Sequence, residues 1–281
     1  MTVEAPRSSK AANAQQESRE IEAAMGRLYD HYFSSHAYAQ RYPVPNRATL
    51  QYLLTNGGHT AKRILDYGCG NGRYALALLQ TTQATLVGYD ISSLALQEFQ
   101  SRLRNTDEVQ RTQLLLGPNC ALEDHAPFDL ALLLFGVLSH LGERSTRLAA
   151  LRRLKSCLTP NGRLIITVPN IWRRRPWELM ATGIARRLRH ASGFQREDGN
   201  ILFTRKLAGA SHQFFYHLYS VSSLRGELTE AGFLLDDISA ESLLPEWLVT
   251  QYPAIGKMDA ALSRWLPASF GYGIRVVARN P

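Results

Sequence analysis

Two aspartates and three glycines carry the most specific chemistry in this chain. Asp66 stands two residues before Gly68 in Asp66-Tyr67-Gly68-Cys69-Gly70-Asn71-Gly72, and Asp90 closes the apolar run Thr85-Leu86-Val87-Gly88-Tyr89-Asp90. Glycines at alternate positions let a backbone take positive φ and come close to a ligand. Acids at the ends of adjacent parallel strands face the crevice where open α/β sheets bind their ligands. Together they build a nucleoside pocket. A dinucleotide wants G-x-G-x-x-G, whose third glycine lets helix and strand pack closely and whose helix start faces a pyrophosphate. Here the spacing is G-x-G-x-G, position 73 is Arg, and Asp66 would repel a pyrophosphate. An aspartate at that place suits an ammonium, and Asp90 suits the two hydroxyls of a ribose.

Those residues need a scaffold, and the hydrophobic pattern supplies one. Strands are expected near 63–67, 85–90, 112–117, 128–134 and 162–168, with helices near 73–81, 92–103 and 145–157 between them. Alternating strands and helices imply a parallel, doubly wound sheet. A last helix, Ser222 to Ala231, is stopped by Gly232, and two strands follow near 233–240 and 272–279. Residues 1–20 read as a disordered polar tail and 21–60 as an N-terminal helical cap, with a helix starting at Asn46. The core is expected over 61–281, with cap insertions at about 171–220 and 240–269.

The glycine motif, Asp90, and the run Leu158-Thr159-Pro160-Asn161-Gly162-Arg163 to Asn170 resemble class I S-adenosylmethionine-dependent methyltransferases (type 11 and type 25-like) over roughly residues 60 to 170. That resemblance implies a Rossmann-like seven-stranded sheet, mostly parallel, with an antiparallel C-terminal edge and helical cap segments. It implies S-adenosyl-L-methionine as cofactor. Asp66 would then meet the methionine ammonium, Gly68, Cys69, Gly70, Asn71 and Gly72 would form the cofactor turn, and Asp90 with Ile91 would hold the ribose. Asn119 and Cys120 follow the third strand, where the family contacts adenine; Gly117-Pro118-Asn119 also reads as a simple turn. Tyr29 and Arg41 lie in an aromatic N-terminal segment that folds over the cofactor in this family, although tyrosines so spaced are also ordinary packing residues.

Methyl transfer is an in-line displacement, so holding the nucleophile near the methyl is the main task. A base is needed only when the nucleophile carries a proton of high pKa. His140, in Phe135-Gly136-Val137-Leu138-Ser139-His140-Leu141, follows the fourth strand and serves either as base and substrate contact or as a loop-holding histidine. Tyr216 and His217, in Phe214-Phe215-Tyr216-His217-Leu218-Tyr219, resemble the Tyr-Tyr-His segment of tRNA wobble-uridine methyltransferases that esterify a carboxymethyl group. They are acceptor-site candidates, or else packing residues. Where those enzymes carry an Asp-Val-x-x-Pro-Trp-like segment, this chain has Gly199-Asn200-Ile201-Leu202-Phe203-Thr204.

The chain of 281 residues, 45% hydrophobic with net charge +8, can bury a full α/β core and favours acidic partners. Cys69, Cys120 and Cys157 lack metal-ligand spacing, so no metal is expected and a reducing cytoplasm is. The segment Arg173-Arg174-Arg175-Pro176-Trp177 to His190 is a basic amphipathic helix with Trp177, Met180, Ala181, Ile184 and Leu188 on one face. It is expected to cap the active site with a solvated outer face, while docking on RNA or anionic lipid stays open. With Leu243, Leu244, Pro245, Trp247, Leu248, Trp265 and Leu266 it suggests two apolar covers over one cleft, and hence a bulky or partly lipophilic acceptor. An oligomer interface, in a homodimer rather than a monomer, would look the same. The leading expectation is methyl transfer to oxygen or nitrogen of a small organic acceptor. The alternatives are a tRNA-modifying methyltransferase and a non-catalytic subunit of the same fold.

Overall fold

The computed structural model describes residues 24–34, 37–118, 120–188, 197–207 and 210–281; the expected tail, Asn119, Arg189 and His190 lie outside them. Helices α1 (24–34), α2 (Ala37–Arg41) and α3 (Arg47–Leu53) precede the first strand. Asn46 caps α3 as expected, its side-chain oxygen accepting the Ala48 N–H at 3.0 Å. The core then alternates: β1 (Arg63–Tyr67), α4 (Arg73–Thr81), β2 (Thr85–Asp90), α5 (Ser93–Leu103), β3 (Thr112–Leu116), β4 (Phe128–Leu133), α6 (Arg144–Ser156) and β5 (Leu158–Pro169). Next come α7 (Pro176–Arg187), strands β6 (Asn200–Leu207) and β7 (Ala210–His217), and α8 (Val221–Glu230). The chain finishes with β8 (Leu234–Ser242), α9 (Glu246–Gln251), α10 (Pro253–Ser263) and β9 (Gly273–Arg279).

The seven-stranded sheet has the order β3-β2-β1-β4-β5-β9-β8. β1 to β5 run parallel, and β9 and β8 add an antiparallel edge, as the resemblance implied. β1 is hydrogen-bonded to both β2 and β4, so the strand order reverses beside it. That switch point opens a crevice above the carboxyl ends of β1 and β2. One sheet face is covered by Leu148, Leu151 and Leu154 of α6 with Leu224 and Leu228 of α8. The other is covered by Leu78 and Leu79 of α4, Phe99 and Leu103 of α5, and Leu53 of α3. Near-continuous burial of β1, β2 and β4 follows from this double cover and explains their unbroken apolar runs.

Above the crevice sits a third apolar cluster, made by Met25, Leu28, Tyr32 and Phe33 of α1, Tyr38 and Tyr42, and Phe203, Phe214, Phe215 and Tyr216 of the β6–β7 pair. This antiparallel pair is a separate two-stranded sheet that the sequence pattern does not announce. Both of its sides are covered, so successive residues Phe214, Phe215 and Tyr216 are all buried and the alternation typical of a half-exposed strand is lost.

The hairpin is tied to the core by a buried charge cluster. Arg147 is fully buried; its guanidinium bonds Glu197, both carboxylate oxygens of Glu227, and the Gly142 carbonyl at 2.7 Å. Tyr219 donates to Glu227 at 2.9 Å. Removing the cation leaves buried carboxylate uncompensated, which is more costly than the pair itself is stabilising. Arg147→Ala should therefore lower unfolding free energy by about 3–5 kcal/mol in urea denaturation; a loss below about 1 kcal/mol would contradict this role.

Candidate functional site

The glycine turn is clamped to the end of β2. The Gly68 and Cys69 N–H groups donate to the Tyr89 carbonyl at 2.7 and 3.0 Å, and the Gly70 N–H donates to Asp90 Oδ2 at 2.7 Å. Asp90 Oδ1 accepts the Ser92 N–H at 2.9 Å, where Ser92 also caps α5. The carboxylate is thereby fixed in orientation at the rim of the crevice. Gly68 has φ +85°, and a Cβ there would collide with Val137. Gly72, at φ +74°, starts α4 with its Cα against the Phe99 ring, so its glycine serves packing.

A cavity opens over this turn. Gly68, Asp90 and Ile91 line it with Tyr67 and Tyr89, whose rings stack at 4.3 Å, and Val137, Leu141 and Met25 complete its apolar walls. Flat apolar walls with one oriented carboxylate fit an adenosine. Asp66 is buried at the end of β1, and burial, reinforced by Asp90, pushes its carboxyl up to about 7 despite Arg73. A cationic ammonium nearby would relieve that cost.

A second, larger chamber adjoins the first, and Tyr29 and His140 line both. Phe135 (φ 59°) and Gly136 (φ 80°) turn the chain sharply after β4. The Phe135 N–H donates to Thr167 Oγ1 at 2.7 Å, and Tyr216 packs against Gly136 where a Cβ would lie 2.8 Å from its hydroxyl. His140 Nδ1 lies 2.9 Å from the Phe215 carbonyl, which can only accept, so Nδ1 carries the proton. In the neutral ring, Nε2 then accepts the Tyr29 hydroxyl at 2.9 Å.

The far wall of the chamber holds Arg174, Glu241, Glu246, Trp247 and Tyr272. The Arg174 guanidinium lies 4.5 Å from the Tyr272 ring centre and 5.6 Å from that of Tyr216. Glu246 pairs with the buried Arg73 at 2.6 Å and accepts the Tyr74 hydroxyl at 2.8 Å. Glu241 sits at a β-bulge: Ala240 pairs with Ile274 and Ser242 with Gly273, leaving Glu241 as the extra residue. Such bulges re-aim side chains beside functional sites. Gly273 makes the room, since a Cβ there would collide with Glu241 Oε2. Burial and then Glu246 raise the Glu241 carboxyl to about 8, against Arg275, Arg174 and the Thr167 hydrogen bond.

The expected site residues divide accordingly. Tyr29, His140 and Tyr216 meet at the junction, and Gly68, Asp90 and Ile91 line the smaller cavity. Arg41 lines the larger chamber and not the smaller cavity, bonded to Tyr42 at 3.1 Å and near Trp247. Asn71 faces α5, donating to Glu98 at 2.8 Å, and Cys69 is buried under the turn. Cys120 packs on the core while its carbonyl accepts from Arg153, and Asn119 lies outside the described residues. His217 lies apart from Tyr216. Strand alternation sends it to the opposite side of β7 from Tyr216, against Asn200 at 2.5 Å and the Arg147 cluster. Burial and Arg147 push its imidazole down to about 2, so it stays neutral. Glu241, Glu246 and Arg174 escaped the sequence reading; Glu241 is the third acid of a strand that also holds Asp236 and Asp237, so no local signal marks it.

The apolar covers also differ from expectation. Leu244, Pro245 and Trp247 do line the chamber, but Trp177 and Trp265 are 74% and 88% exposed. The stripe of α7 points outward, because Leu179 and Thr182 occupy its inner side.

With this geometry in place, comparison with known proteins is direct. The sequence pattern of the family described as "Methyltransferase domain" matches residues 36–237. A tRNA U34 carboxymethyltransferase of Geobacter sp. (strain M21) is 30% identical over 129 residues, 46% of this chain and 39% of that protein. The chain thus spans well under half the length of that curated relative. Among solved structures, the CcbJ methyltransferase from Streptomyces caelestis superposes with TM-score 0.57 at 15% identity, over 84% of this chain and 90% of that one. The glycopeptide N-methyltransferase MtfA, complexed with S-adenosylhomocysteine, gives 0.56 at 14% identity, over 85% and 91%.

The chain belongs to the methyltransferase-domain family.

Asp66 gives a signed test. Its raised carboxyl favours the protonated folded state, so that stability is complete below pH 4 and is lost as pH rises through about 7. At about 1.4 kcal/mol per unit, cofactor-free protein should lose roughly 3–4 kcal/mol from this group between pH 4 and 8. Urea denaturation of Asp66→Asn should lack that part of the slope; identical slopes in both proteins would contradict the assignment.

Proposed function

We propose that this enzyme transfers the methyl group to an oxygen or nitrogen of a small organic acceptor seated in the larger chamber. The observation that carries the reading is the meeting of the two cavities at Tyr29 and His140, with a bulge-aimed carboxylate on the far wall. Bound S-adenosylmethionine supplies an electrophilic methyl on a sulfonium. The chain's part is to orient the acceptor and take its proton. Aromatic walls from Phe135, Tyr216, Trp247 and Tyr272 suit a flat or apolar body, and Arg174 suits a polar or anionic substituent. In this reading Glu241, as a carboxylate, accepts the proton the nucleophile gives up and becomes the carboxylic acid. His140, held by Tyr29 and the Phe215 carbonyl, positions the nucleophile through its ring edge. Asp66, the glycine turn and Asp90 with Ile91 hold the cofactor.

A second reading, modification of a tRNA wobble uridine, draws support from the names of the curated relatives, which are tRNA U34 carboxymethyltransferases. Tyr216, the residue that first suggested it, does line the chamber. The relatives' match covers 46% of this chain or less.

The two readings separate when methyl-labelled S-adenosylmethionine is incubated with a metabolite extract, a lipid extract and bulk tRNA. Label in an extractable small molecule supports the first reading, and label confined to tRNA overturns it. Once an acceptor is found, Glu241→Gln should lower kcat by about 10²–10⁴-fold while cofactor affinity is kept. Because Glu241 accepts a proton only when ionised, the wild-type rate should climb with pH and level above about 8. An unchanged rate or profile in the variant would remove Glu241 from this role.

A further inference from the structure

We infer that the outer face of α7 and the turn after α10 form one docking surface for an anionic lipid bilayer. Trp177, Met180 and Ile184 of α7 and Leu188 just after it recur at helical spacing and are 74%, 56%, 52% and 61% exposed. The inner side of the same helix is already taken, with Leu179 on the aromatic cap cluster and Thr182 buried. A second exposed set, Met258, Leu262, Trp265 and Phe270, follows along α10 and the turn before β9. Arg173 joins the two. Its guanidinium donates to the Phe270 carbonyl at 2.9 Å and the Leu243 carbonyl at 3.2 Å, which brings Trp172, also 74% exposed, beside that turn.

Charge selects the occupant. Arg187 on α7 and Lys257 and Arg264 at α10 are exposed. The acids of these helices are engaged elsewhere: Glu178 pairs with Arg175 at 2.7 Å, and buried Asp259 accepts from Ser242 and from the Leu243 and Leu244 N–H groups. What faces outward is therefore tryptophan and aliphatic surface edged by cations, the composition of a helix lying in the headgroup region. An RNA backbone would use the cations and leave Ile184 and Leu188 without a partner. A second copy of the chain would bring like charges together. The segments that wall the larger chamber, at Arg174–Arg175 and Leu244–Trp247, lead into α7 and, through α9, into α10, so the proposed surface is continuous in sequence with two walls of the chamber.

The experiment is flotation of the full chain with phosphatidylcholine vesicles, with and without phosphatidylglycerol, at low and at physiological salt. Binding should require phosphatidylglycerol and weaken as salt rises. Trp177→Ala with Ile184→Ala should reduce binding tenfold or more, and Arg187→Glu severalfold, with cofactor affinity and denaturation midpoint unchanged. Soluble glycerol phosphate should not compete. Absence of vesicle binding at low salt, or binding indifferent to the paired substitution, overturns the proposal. So does a concentration-dependent dimer, or retention of bulk tRNA, that the paired substitution abolishes in a protein that ignores vesicles. No turnover is needed, so failure here leaves the acceptor reading intact.

Discussion

The structure depends on a backbone clamp between the glycine turn and the end of β2. Three successive N–H groups, from Gly68, Cys69 and Gly70, are spent on Tyr89 and Asp90. This places two carboxylates, Asp66 and Asp90, in one buried corner, an arrangement that costs free energy. A ligand with an ammonium and ribose hydroxyls repays that cost, whereas a pyrophosphate would add to it. The discrimination between a sulfonium nucleoside and a dinucleotide thus rests on electrostatics at one turn. Every later feature takes its position from there: α4 starts at Gly72, α5 at Ser92, and Val137 closes over Gly68.

The larger chamber is built differently. Its walls come from parts of the chain far apart in sequence: α1, the loop after β4, the β6–β7 pair, and the segment between β8 and β9. Polar groups there are held by aromatic rings and by each other. Arg73 illustrates the economy of this design, since it leaves the glycine turn to pair with Glu246 under the rings of Tyr42, Tyr74 and Phe135. That pair also sets the field felt by Glu241, because Glu246 is the charge that most disfavours its ionisation.

Legibility in the sequence followed the range of the interactions. The parallel core was readable because each strand and helix announces itself locally; β1, β2 and α4 have the expected bounds, and Asn46 caps α3. The glycine turn was readable for the same reason. The larger chamber was not, since Glu241 owes its place to a bulge opposite Gly273 and to strand pairing that no short window displays. Tyr216 and His217 are adjacent in sequence yet end on opposite sides of a strand, one in the chamber and one against Arg147. The stripe on α7 was identified correctly and its direction was not, because periodicity reports that a face exists and says nothing about which neighbour covers it.

The most direct test of the central account is titration calorimetry of S-adenosylmethionine against the wild-type chain and Asp90→Ala, with NADH as the competing ligand class. The account predicts binding on the order of micromolar for S-adenosylmethionine, at least tenfold weaker in the variant, and no heat with NADH. Absence of S-adenosylmethionine binding, or equal affinity in both proteins, would contradict the assignment of the Asp66–Asp90 corner as the cofactor site.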